Sequence, residues 1–75
     1  MTDKVQKKFG ECVRTLRRAK GLSQEALAEA SDLDRSYIGG VERGERNISL
    51  QNIIKIANGI GISASEIFKD FNDKH

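Results

Sequence analysis

Arg35, Ser36 and Tyr37 follow one another directly after Asp34, and Gln24 precedes them by about three helical turns of chain. These side chains recognise rather than make bonds. An arginine guanidinium can donate two parallel hydrogen bonds to O6 and N7 of guanine. The hydroxyls of Ser36 and Tyr37 can reach a phosphate or a base edge, and a glutamine amide at the start of a helix can bind phosphate beside the helix N-terminus. Catalytic groups are scarce by comparison. His75, the only histidine, lies in the tail, so no Ser–His–Asp set is assembled by proximity in the motifs. Cys12 is the only cysteine, which excludes a cysteine metal pair and an intrachain disulfide. No phosphate loop or metal-ligand spacing occurs, and the acidic residues fit helix caps and surface pairs. No enzymatic activity, cofactor or metal is expected.

These residues need rigid elements to hold them, and the sequence supplies helices. Val5, Phe9, Cys12, Val13 and Leu16 recur at three- and four-residue spacing and predict a first helix over residues 4–20, closed by Gly21. Cys12 falls within that apolar stripe, where a buried, inert thiol is expected. Ser23 is a good N-cap for a second helix, 24–30, with Leu27 and Ala28 facing inward. The polar break Ser31-Asp32-Leu33 leads to Asp34, which can cap a third helix whose inner positions are Tyr37 or Ile38 and Val41, stopped by Gly44. Ser49 caps a fourth helix over 50–59, with an inward set of Leu50, Ile53, Ile54, Ala57 and Ile60. Ser63 and Glu66 have capping-box spacing and open a fifth helix with Ile67, Phe68 and Phe71 on its apolar side. Residues 72–75 read as a frayed tail. The expectation is an all-α, compact five-helix fold forming one domain over residues 1–75.

The second and third helices, joined by a short turn over residues 23–43, form a helix-turn-helix. This arrangement lets the second of the pair enter the DNA major groove while the first crosses the backbone. Its outward residues are Asp34, Arg35, Ser36, Tyr37 and Gly40. Gly39 and Gly40 each cost about 0.8–1.0 kcal/mol relative to alanine in a helix interior, so packing must hold this helix. A bare surface at Gly40 is read as exposed for close approach of a partner, whereas Gly39 fits close helix packing equally well.

Composition sets bounds without deciding function. The chain has 75 residues, 37% hydrophobic and 32% charged, with no proline, and its net charge is only +2. Seven cations lie in the first twenty residues, Lys4, Lys7, Lys8, Arg14, Arg17, Arg18 and Lys20. They fit a solvated helix face as well as a nucleic-acid surface. No apolar run is long enough to span a membrane and no signal-peptide pattern opens the chain, so a cytoplasmic protein is expected.

The run Gly21-Leu22-Ser23-Gln24-Glu25-Ala26-Leu27-Ala28, continued by Tyr37-Ile38-Gly39-Gly40-Val41-Glu42-Arg43-Gly44, resembles the Cro and lambda-repressor-like helix-turn-helix family. The stretch from Leu33 to Asn47 is most similar to controller proteins of restriction–modification systems. The resemblance covers roughly residues 8–70 and implies a lambda-repressor-like fold and a regulator of transcription that binds double-stranded operator DNA. Controller proteins further imply control of the protein's own gene and of a restriction enzyme gene. By position, Gln24 matches a phosphate-contacting glutamine, while Asp34, Arg35, Ser36 and Gly40 match positions facing base edges. Tyr37 matches a backbone-contacting position, and Arg43, Arg46 and Asn47 lie where the family grips phosphates. Arg17 and Glu42 match a structural salt bridge between the first and third helices. Two departures stand out: Asp32 occupies a turn position often held by glycine, and Gly40 replaces a longer side chain. Antitoxins and protein-interaction adaptors share the fold and form the alternative reading.

Recognition by one helix covers few base pairs, so members of this motif class pair two-fold. The expected homodimer surface uses exposed members of Ile60, Ile62, Ile67, Phe68 and Phe71, all of which could instead complete the monomer core. No small-molecule ligand is expected.

Overall fold

A computed structural model describes residues 4–69 and 71. Five helices follow in order, α1 (Lys4–Ala19), α2 (Gln24–Ser31), α3 (Arg35–Glu42), α4 (Leu50–Ile60) and α5 (Ala64–Ile67), with no strand among the described residues. The expected tail at residues 72–75 lies outside them.

The helix boundaries follow local chemistry. Ser23 and Ser49 accept backbone N–H bonds from Ala26 and Asn52 at 3.0 and 3.1 Å, so α2 and α4 start where a side chain satisfies an orphan donor. Between α2 and α3 the chain turns through Asp32 in the left-handed conformation (φ 60°), and the Leu33 N–H donates back to the Ala28 carbonyl at 2.9 Å. The predicted capping box at α5 does not form. Ser63 makes no side-chain cap bond and instead pairs its hydroxyl with that of Ser65 at 2.9 Å, in a helix only four residues long. Phe71 follows that helix rather than belonging to it.

The core draws on every helix: Phe9 and Val13 from α1, Leu27 and Ala28 from α2, Ile38 and Val41 from α3, Ile56, Ala57 and Ile60 from α4, and Ile67 from α5. At α3 the choice between Tyr37 and Ile38 resolves to Ile38, fully buried, with Tyr37 half-covered. Three expected inward residues point out instead. Val5, Leu50 and Ile54 are 54%, 81% and 50% exposed, and Ile56, absent from the expected set, is fully buried. Six of the eleven α4 residues are apolar, so more than one stripe was available, and packing against α2 selects the one centred on Ile56 and Ala57. Cys12 is half-buried against the core rather than enclosed by it.

α1 lies unusually close to the end of α3. A Cβ on Gly10 would fall 2.3 Å from the Val41 carbonyl oxygen and 2.6 Å from that of Glu42. One turn earlier, a Cβ on Gly44, itself at φ +80°, would fall 2.8 Å from the Cα of Lys7. Only glycine permits this backbone-to-backbone approach, and it seats α3 and the loop after it directly on α1.

Candidate nucleic-acid interface

Beneath the helix-turn-helix sits a buried polar cluster. Glu42, the last residue of α3, accepts hydrogen bonds from Arg17 Nε at 2.7 Å and Nη2 at 3.1 Å. It also accepts from Gln24 Nε2 at 3.0 Å and, more weakly, from Arg14 Nε at 3.4 Å. A further Arg17 nitrogen, Nη1, donates to the Leu22 carbonyl at 2.8 Å. Burial pushes the Glu42 carboxyl up, but hydrogen bonds from Arg17, Gln24 and Arg14 together with the arginine charge outweigh it and hold the group below its ordinary value. The same hydrogen bond raises Arg17 against its own desolvation. The cluster thus ties α1, the start of α2 and the end of α3 into one unit.

Above it, Asp34, Arg35 and Ser36 are exposed at the N-terminal end of α3. Asp34 occupies the N-cap position without a side-chain cap bond, which leaves its carboxylate facing outward with its neighbours. Farther along, Gly39 and Gly40 are both buried. A Cβ on Gly39 would approach Arg43 Nη1 to 3.1 Å and Gln24 Oε1 to 3.7 Å, while one on Gly40 would approach Arg46 Nε to 3.1 Å. The exposed reading of Gly40 is therefore corrected: the Arg46 side chain lies across it. The Arg46 guanidinium continues over the Tyr37 ring, 5.4 Å from its centroid, and the Tyr37 hydroxyl accepts a hydrogen bond from Asn52 of α4 at 3.1 Å. Arg43 reaches the other way and forms a two-pronged pair with Glu45 at 3.0 and 3.1 Å. This pairing raises the Arg43 pKa and lowers that of Glu45. Asn47 is exposed in the same loop.

The match to known proteins fits this geometry. A helix-turn-helix family model matches residues 13–67. The control protein C.MunI of Mycoplasma sp is 48% identical over 64 residues, spanning 84% of this chain and 86% of its own. This chain belongs to the helix-turn-helix controller proteins. Among solved members, the restriction-modification controller protein C.AhdI from Aeromonas hydrophila superposes with a TM-score of 0.82 at 60% identity, covering 84% of this chain and 96% of that one. The controller protein C.Esp1396I, solved as a tetramer in complex with its natural 35 base-pair operator, gives a TM-score of 0.85 at 34% identity, covering 91% of this chain and 90% of its own. The lambda-repressor-like resemblance thus resolves to this controller family, with an all-α fold as expected.

Within the controller fold, the anticipated residues are brought together unevenly. Gln24, Tyr37, Arg43 and Arg46 converge around the glycine pair of α3, and Arg17 meets Glu42 as the resemblance implied. The amide of Gln24 is partly committed to Glu42, leaving its second N–H to act elsewhere. Three participants escaped the sequence reading: Arg14, which joins Glu42; the Leu22 carbonyl; and Asn52, which fixes Tyr37. Asn52 sits in the first turn after the Ser49 cap, and its side chain meets Tyr37 only because α4 packs beside α3, a contact that no local pattern encodes. Of the expected dimer set, Ile60 and Ile67 are 4% and 1% exposed and belong to the monomer core. Ile62 and Phe71 are half-buried, and Phe68 is exposed. Among the described residues no helix is long and apolar enough to cross a membrane.

Proposed function

We propose that this protein is a sequence-specific transcription regulator that binds operator DNA as a homodimer and acts as an autoregulatory controller of a restriction–modification system. The observation that carries the reading is the exposed trio Asp34, Arg35 and Ser36 at the N-terminal end of α3, held rigidly by the Arg17–Glu42–Gln24 cluster beneath it. Arg35 reads a guanine edge, with Asp34, Ser36 and the backbone at Gly40 beside it once Arg46 turns toward DNA. Gln24, Tyr37, Arg43, Arg46 and Asn47 grip phosphates, which makes affinity depend on salt through counterion release. The operator complex of C.Esp1396I supports double-stranded DNA as the partner.

A two-fold dimer presents two copies of α3 to half-sites roughly 34–36 Å apart. Leu50 and Ile54, one turn apart on α4, join Phe68, Ile62 and Phe71 as the apolar side chains available to it. The protein works in the cytoplasm without enzymatic activity or a small-molecule ligand, so its own concentration sets operator occupancy.

The test is a gel-shift titration against DNA upstream of the protein's own gene at two salt concentrations. Tight, selective binding that weakens with salt and gives discrete shifted species is expected. Binding no tighter than to random DNA would overturn the reading and direct attention to a protein partner.

A further inference from the structure

The amino-terminal half of α1 takes no part in the surface described so far, yet the fold lays it against the loop that carries Arg43, Arg46 and Asn47. Gly44, in the middle of that loop, packs its Cα on the backbone of Lys7, and Gly10 one turn later packs on the carbonyls of Val41 and Glu42. Lys7 therefore leaves α1 at the point where the loop crosses it, and its side chain is exposed. Lys4 stands one turn earlier on the same helix face and is exposed too. Among the described residues neither lysine is in an ion pair. The acid nearest to them in the loop, Glu45, is held by both prongs of Arg43. Lys8 differs although it is the next residue: about 100° further round α1, it lines a groove with Glu11, Glu66 of α5 and Lys69 just after that helix.

We infer that Lys7, extended by Lys4, is a further phosphate-binding element that lengthens the basic loop 43–47 along the DNA backbone. The inference rests on the DNA-binding reading above. Phosphate contact needs a flexible cation at the edge of the surface and no base geometry, which is what a lysine on a solvent-facing turn provides. The close packing at Gly44 fixes its distance from the loop, so Lys7 and the loop arginines meet the same strand of phosphates together.

Because phosphate contacts are independent of sequence, the test does not require the operator. Binding of a fluorescein-labelled random duplex about three helical turns long is titrated at several salt concentrations for the wild-type protein, Lys7→Gln, Lys7→Arg and Lys8→Gln. Each phosphate neutralised contributes about 0.9 to the slope of log affinity against log salt. Lys7→Gln should flatten the slope by about that amount, which removes a 3- to 4-fold part of the affinity lost between 50 and 200 mM salt. Lys7→Arg should retain the wild-type slope. Lys8→Gln removes the same charge from the neighbouring position and should leave the slope unchanged. Equal flattening by Lys7→Gln and Lys8→Gln would overturn the inference, since net charge and not place would then be responsible. An unchanged slope in Lys7→Gln would overturn it as well, with DNA binding itself intact. A wild-type protein with no salt-dependent binding would instead bring down the DNA-binding reading on which the inference stands.

Discussion

At Glu42 desolvation and hydrogen bonding oppose each other, and the outcome decides whether the cluster holds the fold or merely occupies it. Removing the carboxylate leaves Arg17, itself 7% exposed, as a buried cation without its partner. Breaking a buried pair from one side costs about 3–5 kcal/mol, a large share of the stability of so small a chain. Glu42→Ala should therefore lower the melting temperature steeply; an unchanged value would mean the pair is irrelevant to folding. The pH dependence has a definite sign. The folded-state pKa of Glu42 lies below its ordinary value of 4.5, so the stabilisation is complete above that value and is lost as the pH falls through the folded pKa. Urea titrations from neutral pH downward should show stability falling below about pH 4.5 more steeply in wild type than in Glu42→Gln. Arg35 obeys different energetics because it is exposed and outside the cluster. Arg35→Ala should leave the folding stability within about 0.5 kcal/mol of wild type. It should cost about 1–3 kcal/mol of discrimination at one base position of the operator, read by binding to a set of single-base operator variants.

Helix α3 carries two glycines and still forms, because Ile38 and Val41 are buried in the core and Glu42 ties its last turn to α1 and α2. Gly40→Ala removes about 0.8–1.0 kcal/mol of intrinsic penalty, and the atoms it meets belong to the flexible, exposed Arg46 side chain at 3.1 Å and beyond. The variant should melt higher while binding DNA more weakly, since the added methyl covers the α3 backbone that lies beside the bases once Arg46 turns toward DNA; calorimetry and gel shift on the same sample separate the two effects. The α2–α3 turn offers a second case. Asp32 holds a left-handed conformation at the C-terminal end of a helix, where both its Cβ and its charge are unfavourable. Asp32→Gly should raise stability by on the order of 1 kcal/mol in chemical denaturation. These elements also show what was legible in advance. Serine caps and glycine stops marked the helix ends because those signals are local. The facing of α4 was not legible: its apolar excess left several stripes open, and only contact with α2 singles out Ile56 over Leu50 and Ile54. The Arg17–Glu42 pair followed from the resemblance, whereas Asn52 beneath Tyr37 depends on how α4 meets α3, which no local pattern encodes. Gly40 was misjudged for the same reason, because Arg46 reaches it from a different segment.

The whole molecule, with a net charge of only +2, concentrates its interaction surfaces rather than relying on bulk attraction. The exposed residues Asp34, Arg35 and Ser36 lie at the N-terminal end of α3, and Leu50 and Ile54 leave aliphatic surface uncovered on α4. Covering a leucine or isoleucine fully is worth about 1.5–3 kcal/mol, and a two-fold interface uses each such residue twice. The double substitution Leu50→Ser and Ile54→Ser should therefore weaken dimerisation at least tenfold, with sedimentation equilibrium reporting monomer at concentrations where wild type is paired. Because Leu50 is 81% and Ile54 50% exposed in the monomer, the substitutions should lower its own stability by less than they weaken pairing. Phe68 makes a poorer probe of the same question. It packs on Phe9 and Phe71 at ring distances of 5.6 and 5.4 Å, so its loss would loosen the monomer along with any interface. Operator binding should require correspondingly higher protein in the α4 double variant while its salt slope per protomer stays constant, since every residue proposed to contact phosphate is retained. Persistence of the dimer would exclude α4 and leave Phe68, with Ile62 and Phe71, as the pairing surface.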